Sequence, residues 1–287
     1  MDAAGRIETA LELALATARD GCPPRLGGAL RDAVIPGGAR LRPRLTLAVA
    51  FACADDQPAT ADAAAAAIEL LHCASLVHDD MPCFDDAALR RGRPSIHAAY
   101  GENVALLTGD ALIVLAFSEL ARRVSDPVRL RRLIGIVADA VGAPNGIVAG
   151  QAQECEPSIG LSDYHRRKTG ALISGATMAG AAAAGFEPEP WRALGMAIGE
   201  AYQVADDIRD LVCEPAELGK PVGRDAALGR PSATREFGMA GAMDRLRVLV
   251  ARAVEVVPVC PGDALLKAMI LRETRKFLPA ELAAEAA

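Results

Sequence analysis

Hydrophobic residues recur along most of this chain at spacings of three and four positions, the period of a helix with one buried face. The pattern is clearest after Pro190, where six such positions are Trp191, Leu194, Ile198, Tyr202, Ala205 and Ile208. The same spacing runs through residues 62–78 and 104–121. No block alternates between apolar and polar residues as a strand does. The pattern therefore predicts an all-α protein.

Glycine and proline divide the helical blocks at six places. These breaks fall at residues 21–24, 36–38, 82–94, 142–146, 187–190 and 213–231. The chain has no repeat of fixed period and no linker long enough to separate two folding units. We therefore expect residues 1–287 to form a single helical domain.

Composition strengthens the helical prediction and limits the possible partners. Hydrophobic residues make up 52% of the 287 positions but aromatic residues only 3%, an alanine-rich mixture that favours close-packed helices over sheets. The formal net charge is −6, with no basic tail. A mildly acidic protein of this kind is not expected to bind nucleic acid.

The cysteines and the N-terminus predict a cytoplasmic protein. The seven cysteines are scattered and include no CxxC pair, which fits a reducing compartment. Asp2, Glu8 and Glu12 interrupt the first apolar stretch, so we expect no signal peptide. Residues 169–186 are uncharged and reach the lower length limit for a membrane span. Because they are mostly alanine and glycine with serine and threonine, we expect a buried helix there and no membrane span.

Two acidic clusters, each preceded by an apolar helical stretch, are the candidates for a functional centre. The first covers residues 78–86 with the sequence HDDMPCFDD, and the second covers residues 203–210 with the sequence QVADDIRD. Asp206 and Asp210 are four positions apart, about 40° around a helix and about 6 Å along it. Both carboxylates should therefore lie on one face, where they could bind a hard cation.

In the first cluster, Asp79 and Asp85 would diverge on a continuous helix. Pro82 should end the helix just before it, and a short loop could then return Asp85 to Asp79. Crowded carboxylates repel one another unless a cation lies among them, and Mg²⁺ prefers such oxygen ligands. The alternative is a solvated acidic helix end. Two clusters at the ends of apolar helices favour the Mg²⁺ site.

Lysine and arginine residues accompany both clusters. Arg90 and Arg91 follow the first cluster, Lys168 precedes the alanine-rich stretch, and Lys220 follows the second cluster. Acidic metal sites interleaved with cations suit a substrate rich in phosphate, because metal and cations together neutralise its oxygens. The apolar helices would hold the apolar part of the same substrate.

At these residues the sequence resembles the polyprenyl synthetase family, the trans-isoprenyl diphosphate synthases, over nearly the whole chain. The resemblance is carried by motifs in family order: PGGARLRP at 36–43, ELLH at 69–72, LVHDD at 76–80, DDAALRRGRP at 85–94, GD at 109–110, KTG at 168–170, QVADDIRD at 203–210 and GK at 219–220. It is strongest for the bacterial members that make geranylgeranyl diphosphate for carotenoid biosynthesis. The implied fold is a helical bundle around a central apolar cavity, and the implied assembly is a homodimer.

The resemblance implies roles for both acidic clusters. Asp79, Asp85 and Asp206 would coordinate Mg²⁺. Asp80 and Asp210 would either coordinate the metal or support the residues that do.

The resemblance also implies two diphosphate sites. The residues implied for the allylic diphosphate and its reacting carbon are Arg90, Lys168, Thr169, Gln203 and Lys220. Those implied for isopentenyl diphosphate are Arg42, His72 and Arg91. Helix geometry agrees at His72, which precedes Asp79 by two turns and so lies near the same face. A lone histidine on an apolar helix is otherwise more often a residue of the core.

The implied reaction joins isopentenyl diphosphate to an allylic diphosphate. Cations and Mg²⁺ draw electrons onto the diphosphate, the allylic carbon–oxygen bond ionises, and the double bond of isopentenyl diphosphate attacks. Proton loss then restores an alkene, and apolar walls exclude the water that would trap the carbocation.

Chain length in this family is limited by residues just before the first aspartate cluster, which here are Ala74 and Ser75. Both are small, and the next bulky side chains, Leu70 and Leu71, lie one turn deeper. We therefore expect geranylgeranyl diphosphate, a twenty-carbon product, from farnesyl diphosphate. A farnesyl diphosphate synthase or a longer-chain synthase is the alternative.

The sequence departs from the family at Ala39, where the motif has a lysine that binds isopentenyl diphosphate. Either Arg40 or Arg44 compensates, or the second substrate binds more weakly. The departure also raises the hypothesis of a non-catalytic regulatory subunit of a heteromeric prenyl synthase, although both aspartate clusters are intact. A terpene cyclase would not need a second diphosphate site. A di-iron bundle would need a second Glu-x-x-His pair, which the other histidines do not supply.

Overall fold

The computed structural model describes residues 2–19, 21–35, 37–55, 57–157, 160–212 and 232–277. Over these residues it is helical, as the hydrophobic pattern predicts. In chain order the helices are α1 Ala3–Arg19, α2 Pro24–Val34, α3 Leu41–Ala52, α4 Pro58–Asp79, α5 Ile96–Tyr100, α6 Glu102–Arg123, α7 Pro127–Val141, α8 Ile147–Ala152, α9 Leu161–His165, α10 Ala171–Ala183, α11 Arg192–Val212, α12 Ala233–Glu255 and α13 Asp263–Thr274. Three short 3-10 turns are Gln153–Cys155, Glu189–Trp191 and Arg275–Phe277. A π-helical turn, Arg166–Gly170, joins α9 to α10.

The helix ends agree with the breaks predicted from glycine and proline. Five of the six predicted breaks fall between helices, and the sixth, 213–231, lies outside the described residues. Proline occupies the first turn of α2, α4 and α7, where its missing N–H costs no hydrogen bond. At the start of α7 the Asp126 carboxylate accepts hydrogen bonds from Val128 N at 2.8 Å and Arg129 N at 3.1 Å, which caps the helix.

Helix α10 lies at the centre of the bundle and packs against α3, α4, α7 and α11. All its residues from Leu172 to Ala183 are buried, which confirms the prediction of a buried helix there. Glycine residues in α10 let the neighbouring helices pack close to its backbone. A Cβ atom on Gly180 would lie 2.4 Å from Thr46 O, and one on Gly175 would lie 2.7 Å from Ala140 Cβ. The small residues of this stretch therefore serve close helix packing.

The hydrophobic pattern did not predict the one small β-hairpin in the described part of the chain. Strand β1, Leu89–Arg90, pairs antiparallel with β2, Arg93–Pro94. The two turn residues, Arg91 and Gly92, have φ angles of 55° and 73°, and a two-residue hairpin of the tight primed type requires positive φ at both. Strands of two residues are too short to show an alternation of apolar and polar positions in the sequence. The hairpin matters because it carries Arg90 and Arg91.

Two helices are long and apolar enough to cross a membrane when judged only by length and composition. In α4, 78% of the apolar window is buried inside the protein, as expected of a core helix. In α6 the corresponding share is 44%, because part of its apolar surface faces outward.

Candidate active site

The first aspartate cluster has the shape that the proline predicts. Helix α4 ends at Asp79, and the following loop turns back so that Asp85 N donates a hydrogen bond to Asp79 O at 3.0 Å. Carboxylate oxygens of Asp79, Asp85 and Glu154 all lie within 4.8 Å of one another. The loop therefore brings together two aspartates that a continuous helix would separate.

Glu154 is the member of this group that sequence reasoning missed. It lies in the 3-10 turn after α8, and its carboxylate accepts hydrogen bonds from the Lys168 ammonium and, at 2.6 Å, from the Tyr164 hydroxyl. A single glutamate in a short connection has no periodic pattern around it. Its position beside Asp79 is a long-range contact that spacing along the chain does not encode.

The three carboxylates, here called the carboxylate cluster, fit a hard divalent cation. Asp79 Oδ1 is buried and accepts no hydrogen bond within the described part of the structure, although Lys168 Nζ lies 3.6 Å away. Burial is the main cause that raises the pKa of Asp79; the charge of Lys168 opposes this effect and the charge of Asp85 adds to it. A buried, partly unsatisfied carboxylate beside two others gains most from a cation, and all the donors are oxygens.

Asp80 has a different environment from Asp79. Arg90 Nε lies 2.9 Å from Asp80 Oδ1 and 3.1 Å from Oδ2, and a second guanidinium nitrogen also donates to Oδ1. Burial raises the pKa of Asp80 in spite of this partner. Burial also opposes the charge of Arg90, but its hydrogen bond to Asp80 and the negative charges of Asp80, Asp79 and Asp85 together outweigh that effect and raise the Arg90 pKa. The structure therefore pairs Asp80 with Arg90, and a role of Asp80 at the metal stays a prediction.

In the second acidic cluster, Asp206 and Asp210 belong to one continuous helix, α11, as predicted. Asp206 accepts a hydrogen bond from Arg209 at 2.7 Å. Their carboxylates are not part of the carboxylate cluster as far as the described residues extend. Between them, Asp207 is buried and accepts hydrogen bonds from Ala233 N at 2.7 Å and Gln203 Nε2 at 3.1 Å. Asp207 therefore fixes the start of α12.

Thr169 and Gln203, which were predicted to lie near the reacting carbon, contact each other directly. Thr169 Oγ1 lies 2.8 Å from Gln203 Oε1, and the amide nitrogen of Gln203 is held by Asp207. Thr169 belongs to the π-helical turn, a rare conformation that often occurs at functional sites. Helix α11 approaches this turn closely, since a Cβ on Gly199 would lie 2.6 Å from Gly170 Cα.

Two of the residues predicted to bind the second diphosphate, Arg42 and His72, contact each other. Arg42 Nη1 lies 3.2 Å from His72 Nε2. Burial first, and then the charges of Arg42 and Arg91, hold the pKa of His72 well below its usual value. The neutral imidazole therefore accepts the Arg42 hydrogen bond, which leaves its N–H on Nδ1. The Arg91 guanidinium lies over Gly38, where a Cβ would be 2.8 Å from Cζ.

Neither neighbouring arginine is placed to replace the lysine missing at Ala39. Arg40 is buried and donates to Glu69 at 2.8 Å and to Glu8 at 2.9 Å. Arg44 lies 3.7 Å from Glu273 at the end of α13. With the exposed Ala39 at this position, the residues around Arg42 and His72 therefore have one cation fewer than the family motif would supply. The other predicted cation, Lys220, lies outside the described residues.

A carboxylate cluster with cations beside it, at the end of buried apolar helices, is typical of an enzyme that binds a phosphorylated substrate through a divalent metal. The sequence model of the polyprenyl synthetase family matches residues 23–255. The chain belongs to this family and is a prenyltransferase.

Individual members of the family are similar to this chain over nearly its full length. A geranylgeranyl diphosphate synthase from Cereibacter sphaeroides is 54% identical over 281 residues, which cover 97% of this chain and 98% of the relative. One from Rhodobacter capsulatus is 48% identical over 282 residues, 98% of each chain. The crystal structure of a geranyltransferase from Helicobacter pylori, complexed with magnesium and isoprenyl diphosphate, has a TM-score of 0.81 and 29% identity, covering 96% of this chain and 98% of that one.

Proposed function

We propose that this protein condenses isopentenyl diphosphate with farnesyl diphosphate to form geranylgeranyl diphosphate. The observation that carries the proposal is the carboxylate cluster at the end of α4, with Lys168 between two of its members. The identity to two geranylgeranyl diphosphate synthases supports the twenty-carbon product.

Mg²⁺ is the proposed cofactor. Asp79 and Asp85 would hold it from the first aspartate cluster, and Asp206 and Asp210 from the second. When bound, it would neutralise the diphosphate and so favour ionisation of the allylic carbon–oxygen bond.

The chain's own residues would supply the rest of the chemistry. Lys168 and Arg90 bring fixed positive charge beside the carboxylate cluster, and Lys220 is proposed to join them. Donors that are fixed before the reaction stabilise the charge that develops on the leaving diphosphate. The Thr169–Gln203 pair would orient the allylic carbon. The buried apolar helices would exclude water from the carbocation.

Release of pyrophosphate tests the reaction class. With both diphosphates present, purified protein should release pyrophosphate in proportion to the prenyl product. With the allylic diphosphate alone, release should stay at background. A terpene cyclase would release pyrophosphate without isopentenyl diphosphate, and a non-catalytic subunit would release none in either case.

Restoring the missing cation should strengthen binding of the second substrate. In Ala39→Lys the exposed position accepts the longer side chain, and a new ammonium would face the diphosphate beside Arg42, His72 and Arg91. We expect the KM for isopentenyl diphosphate to fall about threefold to tenfold with kcat little changed, as for an interaction made equally in ground and transition states. Steady-state kinetics measures this, with Ala39→Gln as the uncharged control of similar length. An equal effect of both substitutions, or an unchanged KM, would show that charge at this position is not limiting.

We also propose a homodimer whose interface includes the outer face of α6. Leu107 and Val114 are seven positions apart, about two helical turns, and are 55% and 65% exposed. An apolar stripe on one helix can pair with its copy across a two-fold axis, because an isologous interface is self-complementary.

Charges placed on that stripe should dissociate the dimer. The double variant Leu107→Lys/Val114→Lys puts two ammonium groups on each copy, so they would meet in the interface without partners. Light scattering after gel filtration should give about twice the chain mass for the native protein and about the chain mass for the variant. Val248→Lys, on an exposed residue of α12, is the control and should stay dimeric. A monomeric native protein, or a variant that remains dimeric, would exclude this interface.

A cytoplasmic location and a role in supplying carotenoid biosynthesis belong to the same proposal. All six cysteines in the described part of the chain are free thiols, which agrees with a reducing compartment.

A further inference from the structure

Tyr164 has no role in the site as predicted from the sequence, yet it touches two of the charged groups there. It is 5% exposed and lies in α9, one turn before Lys168. Its hydroxyl donates a hydrogen bond of 2.6 Å to Glu154 Oε1. The Lys168 ammonium lies over its ring, 5.5 Å from the ring centroid. One side chain therefore contacts both a carboxylate and the cation paired with that carboxylate.

These contacts surround the Lys168 ammonium with an aromatic ring and two carboxylates. The ammonium donates to the same Glu154 oxygen that the Tyr164 hydroxyl holds, and it lies 3.6 Å from Asp79 Oδ1. Lysine carries its charge on a flexible four-carbon stem, so a defined ammonium position needs contacts that restrain it. The ring supplies one by a cation–π interaction, and the tyrosine-anchored carboxylate supplies the other.

The backbone around Lys168 is fixed at the same place. Helix α8 packs directly on it, since a Cβ on Gly150 would lie 2.5 Å from Lys168 N. The next residue after Tyr164, His165, is also buried, with its Nε2 3.6 Å from Asp207 in α11. Consecutive residues of α9 therefore contact Glu154 of the carboxylate cluster and Asp207 of the second acidic cluster. With the main chain held, the remaining freedom of the Lys168 ammonium is in its side chain, where Tyr164 acts.

We propose that Tyr164 is a positioning residue for the allylic diphosphate: it sets the place of the Lys168 ammonium, through its ring directly and through its hydroxyl by way of Glu154. This inference rests on the proposed function, in which Lys168 binds that diphosphate. A tyrosine that only filled the core would be replaceable by phenylalanine, which keeps the ring and loses one oxygen. A positioning tyrosine would not.

Tyr164→Phe and a matched Tyr100→Phe variant test the proposal. The Tyr100 hydroxyl also donates to a carboxylate, Asp32 Oδ2 at 2.7 Å, but on the exposed surface. For Tyr164→Phe we expect the KM for farnesyl diphosphate to rise about fivefold to tenfold and the KM for isopentenyl diphosphate to change less than twofold. Calorimetry with inorganic pyrophosphate and Mg²⁺ should show a similar loss of affinity. Tyr100→Phe should match the native protein in every measurement.

A double-variant cycle tests the route through Glu154. Glu154→Gln should weaken pyrophosphate binding, and adding Tyr164→Phe to it should cause little further loss, because the hydroxyl acts through that carboxylate. The proposal is overturned if Tyr164→Phe behaves like Tyr100→Phe, if both KM values rise together, or if the two substitutions are additive. Failure of the proposed function would look different. The native protein would then form no prenyl product, while the calorimetric comparison would still decide the role of Tyr164.

Discussion

Asp79→Asn should lower turnover at least about 10³-fold while the protein remains folded. The substitution removes one of three clustered carboxylates at the point where the proposed cation would neutralise the leaving diphosphate. Losing a single fixed electrostatic contact at a transition state commonly costs 10²- to 10³-fold, and a displaced metal costs more. Initial rates at saturating substrates and Mg²⁺ measure the effect.

The stability of the same variant separates chemistry from folding. Burial raises the pKa of Asp79, so the folded protein binds that proton more tightly than the unfolded chain does. The stabilising effect of the protonated form is present at low pH and is lost as pH rises through the folded pKa. At pH 7 without Mg²⁺, neutral asparagine should therefore leave Tm unchanged or raise it. Asp244→Asn, on the exposed surface, is the control for turnover. Near-native turnover in Asp79→Asn would refute the assignment of Asp79.

Ala74→Phe should change the main product from twenty carbons to fifteen. Ala74 is buried in α4, in the turn below the first aspartate cluster, where the growing chain is proposed to pass. A phenyl ring there would fill the space for the last isoprene unit. Geranyl diphosphate as primer, followed by chromatography of the dephosphorylated products, measures the length distribution.

A second substitution is needed in case Ala74→Phe misfolds, because inserting a ring into a packed core costs about 1–3 kcal/mol of stability. Ser75 is only partly buried and lies one turn before Asp79 on the same face, so Ser75→Phe should fold more readily and shorten the product as well. Ala98→Phe, on exposed α5, should leave the product unchanged. An unaltered distribution in both folded variants would refute the pocket argument.

Local patterns predicted the helices and the shape of the first cluster because their causes are local. The three-and-four spacing after Pro190 corresponds to α11, and Pro82 accounts for the end of α4 and the return of Asp85. The small hairpin escaped prediction because its two-residue strands depend on backbone φ at Arg91 and Gly92, where no periodic pattern operates.

Partners distant in sequence escaped prediction for a different reason. Arg40 looked available to bind a diphosphate, but Glu69 of α4 and Glu8 of α1 neutralise it in the core. Glu154 has no motif around it in the sequence, yet the packing of α8 and α9 places it within hydrogen-bond distance of both Tyr164 and Lys168. Such pairings form only when the helices assemble, so the sequence motif alone gives the residue types without their partners.

Product analysis tests the central claim most directly. Purified protein would be incubated with isopentenyl diphosphate, Mg²⁺ and each allylic primer in turn, and the dephosphorylated products identified by chromatography and mass spectrometry. We predict a dominant twenty-carbon alcohol from farnesyl diphosphate that disappears when the metal is chelated. No product from any primer, at any concentration of isopentenyl diphosphate, would contradict the account and favour a non-catalytic subunit.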